Sequence, residues 1–169
     1  MTKSELKEFL DEKVILYNNP KFIESDPIQI PHSFTLKEDI EIAGFLSATI
    51  AWGNRKMIIN NAKQLMGIMG NSPYDFIVNH KENDLEKLSG FVHRTFNSID
   101  AVYFIKSLQN IYQNHNGLES VFAKNQESHS LQKSISEAKK VFFEIEHPQR
   151  TTKHFSDPMN GSAAKRINM

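Results

Sequence analysis

The sequence predicts an all-α domain, and three observations carry that expectation. Apolar residues recur at helical spacing in several stretches, among them Leu6, Phe9, Leu10, Val14 and Tyr17, then Ile99, Val102, Tyr103, Ile105, Leu108 and Ile111. Prolines fall between those stretches rather than within them, as do Gly53, Gly70, Gly90, Gly117 and Gly161. No run shows the period-two alternation of a half-buried strand, and no internal repeat is visible. With 169 residues, 39% of them hydrophobic and 12 of them Phe, a single helical domain over 1–169 can bury a sizeable core.

Taken in order, about eight helices are expected. The first runs from Ser4 to Tyr17. The stretch from Asn18 to Ser33 reads as irregular, because Pro20, Pro27 and Pro31 cannot sit inside a helix. Thr35 then caps the central element, with Glu38 placed to complete a capping box. This element is a helical hairpin over Thr35–Gly70. Its first arm carries no charge from Ile42 to Gly53 and is expected to be buried, and Asn54 caps an amphipathic second arm that Gly70 ends. Ser72 and Pro73 open a short helix to Asn79, and Leu85–Leu88 is one further turn. Asn97 caps a strong helix through Tyr112, Leu118–Phe122 is a turn, and Ser130 opens a helix through Glu146. Residues 147–160 are polar, hold Pro148 and Pro158, and read as loop. Residues 161–169 read as the start of a helix. Their apolar stripe (Ala163, Ala164, Ile167, Met169) has no continuation, so the chain is expected to be truncated at its C-terminus.

Composition removes several chemistries. The chain has no cysteine, which excludes disulfides, thiolate zinc and an iron–sulfur cluster made from its own residues. No apolar run reaches the length of a membrane span, and the N-terminus is charged throughout, so a cytoplasmic protein without a membrane partner is expected. Lys+Arg 20 balance Asp+Glu 20, so a nucleic-acid surface would have to be a local basic patch. His32, His80, His93, His115, His129, His147 and His154 are scattered without ligand spacing; neither a metal site nor a cofactor is expected.

Three short stretches hold candidate chemistry. At the tip of the central hairpin, Arg55 and Lys56 open a helix where the dipole favours acids. They contact a phosphate, or they form a solvated corner beside an acidic neighbour. In Phe91–Phe96, the two aromatic residues anchor a loop whose Arg94 pairs with a carboxylate, or His93 and Arg94 face a phosphate or a flipped base. In the third, Gly161 and Ser162 offer the small residues that an anion-binding helix opening needs, with Lys165 and Arg166 following. A helix end and an adjacent arginine would both disfavour a charged Lys165, and a neutral lysine is the nucleophile of Schiff-base chemistry.

Phe45-Leu46-Ser47-Ala48-Thr49-Ile50-Ala51, Asn54, Lys56, Asn60, Ala62, Leu65 and Ser72-Pro73 resemble the early helices of helix-hairpin-helix DNA glycosylases of the endonuclease III type. Over nearly its whole length the chain resembles more closely an uncharacterised bacterial family of conserved hypothetical proteins, the domain of unknown function numbered twenty-four hundred. Asp39–Lys63, Phe91–Phe96 and Gly161–Met169 carry that likeness.

The glycosylase resemblance implies a helix-hairpin-helix bundle and a full-length DNA-repair glycosylase/lyase whose nucleophile is Lys165. Arg55, Lys56, Gly161, Ser162 and Arg166 would lie at DNA phosphates. Ala163 stands where the family hairpin has its second glycine, Met159-Asn160 replaces a Leu-Pro pair, and the family's essential aspartate would lie beyond Met169. The alternative is a non-catalytic helical module that binds nucleic acid or a protein.

Overall fold

The computed structural model describes residues 1–124 and 130–168, so His129 and Met169 lie outside the described residues. The all-α expectation holds. Nine α-helical segments and five 3-10 turns are joined by one pair of two-residue strands among the described residues.

Helix α1 (Lys3–Tyr17) is fixed by local interactions alone. The Glu5 backbone N–H donates to Thr2 Oγ1 at 3.2 Å and the Thr2 N–H donates to Glu5 Oε2 at 2.6 Å, a complete capping box. None of its residues is buried, so its apolar face (Leu6, Phe9, Leu10, Val14, Tyr17) is exposed. The segment expected to be irregular is instead three short turns, each opened by a proline: α2 (Pro20–Ile23) and the 3-10 turns Pro27–Gln29 and Pro31–Ser33. Proline's fixed φ suits the first helical position as well as it forbids the interior.

Helix α3 (Lys37–Thr49) crosses the centre of the fold against α4 (Arg55–Ile68), α5 (Pro73–Asn79) and α8 (Gly117–Ala123). It begins at Leu36 with no side-chain cap, rather than at Thr35. Asp39, in its first turn, reaches out to accept the Tyr74 N–H of α5 at 2.8 Å and so ties the two helices together. Helix α4 is capped as expected by Asn54, and Gly70 follows it with φ +67. A short helix α6 (Glu82–Leu85) and the turn Glu86–Leu88 lead to a feature the periodicity does not signal. This is a tight hairpin in which β1 (Val92–His93) pairs antiparallel with β2 (Phe96–Asn97).

Helix α7 (Ser98–Asn114) starts at the expected cap, with Asn97 and Asp100 forming a capping box. Helix α9 (Gln132–Phe142) ends before the expected Glu146, because the Phe142 carbonyl accepts both Tyr103 Oη and Ser107 Oγ of α7 at 2.6 Å. The expected loop over 147–160 contains two 3-10 turns, Gln149–His154 and Pro158–Asn160.

The core is aromatic. Phe45 of α3, Phe104 of α7, Phe142 of α9 and Phe155 of the C-terminal segment lie with ring centroids 4.7 to 5.9 Å apart. Phe96 of β2 packs on Phe104 at 5.2 Å. Such pairs add to the burial of their area. They draw the hairpin and the C-terminal segment onto the same helical body. No helix among the described residues is long and apolar enough to cross a membrane.

Candidate nucleic-acid interface

The α3–α4 turn is the place where the separated candidate stretches meet. Helix α3 ends at Thr49, and Ala51–Asn54 turns the chain with Gly53 at φ +108, a conformation that favours glycine. Asn54 Oδ1 then accepts the Met57 N–H at 3.3 Å. Arg55 and Lys56 are exposed on the first turn of α4. Arg55 has the acidic neighbour that one reading required: its Nη2 is 3.9 Å from Asp26 Oδ2, and its guanidinium lies 5.7 Å from the Phe22 ring centre. Lys56 is in no ion pair among the described residues.

The β-hairpin delivers His93 and Arg94 to this turn, while Phe91 and Phe96 are buried as its anchors. His93 is 1% exposed. Its Nε2 is 3.1 Å from the Trp52 carbonyl oxygen, which can only accept, so Nε2 carries the proton. Nδ1 then accepts from the Asn61 amide at 2.8 Å. Both ring nitrogens are occupied, and His93 acts as a structural bridge between hairpin and turn. Arg94 behaves differently. It is the first residue of a two-residue hairpin turn and takes φ +55, where an L side chain is strained and glycine is usual. Its side chain lies against Gly53: a Cβ there would stand 2.9 Å from Arg94 Nη1. Arg94 is exposed and pairs with no carboxylate among the described residues.

The third stretch contributes Arg166. Its guanidinium sits 4.6 Å from the Trp52 ring centre, and Nη1 donates to the Thr49 carbonyl at 2.7 Å. Burial lowers its pKa below the ordinary arginine value. On the same indole lies His154, stacked at 5.9 Å and 11°, while His93 approaches edge-on at 5.5 Å. Behind His154 is Asp100, fully buried at the start of α7. Its Oδ2 accepts the Asn97 N–H at 3.0 Å, its Oδ1 accepts Thr151 Oγ1 at 2.9 Å, and Arg150 Nη2 is 3.1 Å away. His154 Nε2 is 3.3 Å from Asp100 Oδ2 without the alignment of a hydrogen bond. Burial depresses the His154 pKa; the Asp100 charge opposes that, and the nearby Lys153 and Arg166 add to it.

Where a helix is expected from Gly161, the chain makes turns. Gly161 (φ +80) and Ala164 (φ +45) are both left-handed, and one turn closes where the Asn168 N–H donates to the Ala164 carbonyl at 3.2 Å. The N–H groups expected to receive an anion are used internally. Gly161 donates to the Pro158 carbonyl, Ser162 to the Asp157 carbonyl, and Ala164 to Ser162 Oγ. Lys165 is exposed, and with no helix opening there, no helix end bears on its ammonium.

Trp52, Gly53, His93, Arg94 and Arg166 thus share one site, with Lys165 next to Arg166 in the chain and Lys56 three residues after Gly53. Sequence reasoning missed Asp100, Thr151 and His154 as its foundation. Asn97 and Asp100 at capping-box spacing were the available signal for Asp100. Thr151 and His154 lie in a segment without periodicity. No group of three or more His, Asp or Glu that could hold a metal ion occurs among the described residues.

A family model described as protein of unknown function (DUF2400) matches residues 26–169. No curated protein and no solved structure matches the chain.

Proposed function

We propose that the chain, which belongs to the DUF2400 family, binds nucleic acid across the α3–α4 turn. Lys56, Arg94 and Lys165 approach the phosphate backbone, Arg166 holds the turn in shape from within, and Arg55 faces Asp26. The observation that supports this reading is Arg94. An arginine occupies a turn position suited to glycine, exposed, free of a described carboxylate, and accommodated by a Gly53 that lacks the Cβ it would strike. Strain kept at a cationic surface residue points to a ligand rather than to folding. The zero net formal charge means that attraction is local. Three phosphate contacts give a slope of log affinity against log salt of about −2.7 on duplex DNA. Fluorescence anisotropy of a labelled duplex over a salt series tests it. Affinity that ignores salt, or that survives Lys56→Ala, Arg94→Ala and Lys165→Ala unchanged, would refute the interface.

The finer reading is base excision, in the cytoplasm, with Lys165 as nucleophile. Its amine, once deprotonated, attacks the sugar carbon C1′, the bond to the damaged base breaks, and the base leaves with the proton that the amine gives up. Cleavage of the ring C1′–O4′ bond then opens the sugar to the Schiff base. What favours it is that Lys165 is exposed beside an Arg166 anchored on Trp52 and Thr49. Borohydride trapping on lesion-containing DNA decides this step separately from binding. No cross-link, or an equal cross-link with Lys165→Ala, removes the nucleophile and leaves the interface standing. A protein-binding module is the competing reading, favoured by the exposed apolar face of α1. Binding through that face would be insensitive to salt.

A further inference from the structure

A second site lies on the other side of Arg166. A cleft of about 790 Å3 runs between α3, α8, the start of α9 and the connector before α3, and its size is that of a small-molecule site. Phe45, Ala48, Leu118, Phe122 and Ile135 make its walls apolar. The charges that line it are Asp26, Glu41 and Glu119 against Lys37, Arg55 and Arg166. Lys37 pairs with Glu119 and, at 3.7 Å, with Glu41; Arg55 faces Asp26 at 3.9 Å. Arg166 is left with no carboxylate among the described residues, although it is partly desolvated. In the same cleft Ser47 Oγ, on a residue 3% exposed, has no hydrogen-bond partner. A buried hydroxyl without a partner is uncommon and calls for a ligand or a water.

We propose that this cleft binds an amphipathic monocarboxylate, its head group between the Arg166 guanidinium and the Ser47 hydroxyl and its apolar body along Phe45, Leu118, Phe122 and Ile135. The charge inventory selects a monoanion. The one lining cation without a carboxylate among the described residues matches one negative charge, and the three acids of the lining disfavour a phosphate dianion or a nucleic-acid strand. The apolar walls select a ligand with a hydrocarbon body. This inference does not rest on the nucleic-acid reading, since duplex DNA would lie across the exposed turn and not inside the cleft.

Calorimetric titration of the whole chain with decanoate tests it, with decanol and decylamine as neutral and cationic controls of the same length. The expected result is one saturable site that prefers decanoate to decanol by about tenfold or more, the ratio that a charge-assisted hydrogen bond supplies. Arg166→Met brings decanoate down to the affinity of decanol, and Arg166→Lys retains part of the preference. Ser47→Ala weakens decanoate about threefold to tenfold yet melts no lower than the parent, because the unpaired hydroxyl is gone. If Arg166→Met does not fold, Ser47→Ala and Arg166→Lys carry the test. Equal binding of decanoate and decanol overturns the proposal and marks the cleft as an apolar groove for a protein segment. So does decanoate binding that Arg166→Met and Ser47→Ala leave unchanged, or the absence of any saturable site.

Discussion

Replacing Arg94 with glycine should make the protein more stable and a weaker binder at once. Arg94 stands at φ +55, and the left-handed region costs a residue with a Cβ about 1–2 kcal/mol. Glycine removes that cost but has more freedom to lose on folding, which takes back about 0.4–1 kcal/mol. The net gain is roughly 0.5–1 kcal/mol, and for a chain of this size that is an upward shift in Tm of roughly 1–3 °C. The contact of the Arg94 side chain with Gly53 is a surface contact and subtracts little. Duplex affinity should fall at low salt, and the salt slope should become shallower by about 1, the signature of one lost phosphate contact. Differential scanning fluorimetry and anisotropy over a salt series read the two effects. Arg94→Asn, which tolerates the same φ without the charge, should lose binding with nearly unchanged stability. A lower Tm for Arg94→Gly would show that the side chain holds the turn together and would refute the strain argument. An unchanged salt slope would take Arg94 out of the interface.

Removing the Asp100 carboxylate should be far more damaging, because Asp100→Ala leaves Arg150, Thr151 and the Asn97 N–H without their common acceptor. A loss of about 3–5 kcal/mol is expected in urea unfolding, with hydrogen exchange rising first over 149–168. Stability should also fall as the solution becomes acidic. The folded-state pKa of His154 is depressed below the ordinary 6.5, so between those two values the unfolded chain binds the extra proton. The contribution is fully present above pH 6.5 and is lost as pH falls from there through the folded pKa. A Tm series from pH 7.5 down to about pH 5 should show this slope flattened in His154→Gln, and an equal slope in that variant would assign it elsewhere. Phe142→Ala opens a void in the aromatic cluster joining α3, α7, α9 and Phe155, and should cost about 3–5 kcal/mol in thermal or urea unfolding.

Much of the fold was legible because helix ends are local events. Asn54, Asn97 and the Ser72-Pro73 pair each mark a helix start within a few residues of chain, and the structure places helices α4, α7 and α5 there. Legibility failed wherever a partner distant in sequence intervened. Helix α9 stops at Phe142 because two hydroxyls of α7 take its carbonyl, and nothing near Glu146 signals that. Thr35 and Glu38 suggested a capping box, but the cap position falls on Leu36, one residue later and without a side-chain cap, while Asp39 in the same turn serves α5. Gly161–Lys165 has the composition of an anion-binding helix opening, yet the segment spends its N–H groups on its own turns.

The candidate site divides along the same line. Reading residues 52–56, 93–94 and 161–166 as unusual required only residue types and positions. That Gly53, Arg94 and Arg166 meet around Trp52 is a tertiary fact. By itself the sequence determined helix identity, most caps, the apolar faces and the absence of thiol chemistry. These depend on interactions within one or two turns of helix, where spacing fixes geometry. Only the tertiary structure decided what each buried face packs against and which polar groups answer one another. Thr151 bonds Asp100 across a separation of 51 residues, and Arg166 reaches the Thr49 carbonyl across 117. Periodicity states that a face is buried and carries no information about its partner. Contacts so distant are set by how helices of given length and tilt fill one shared core.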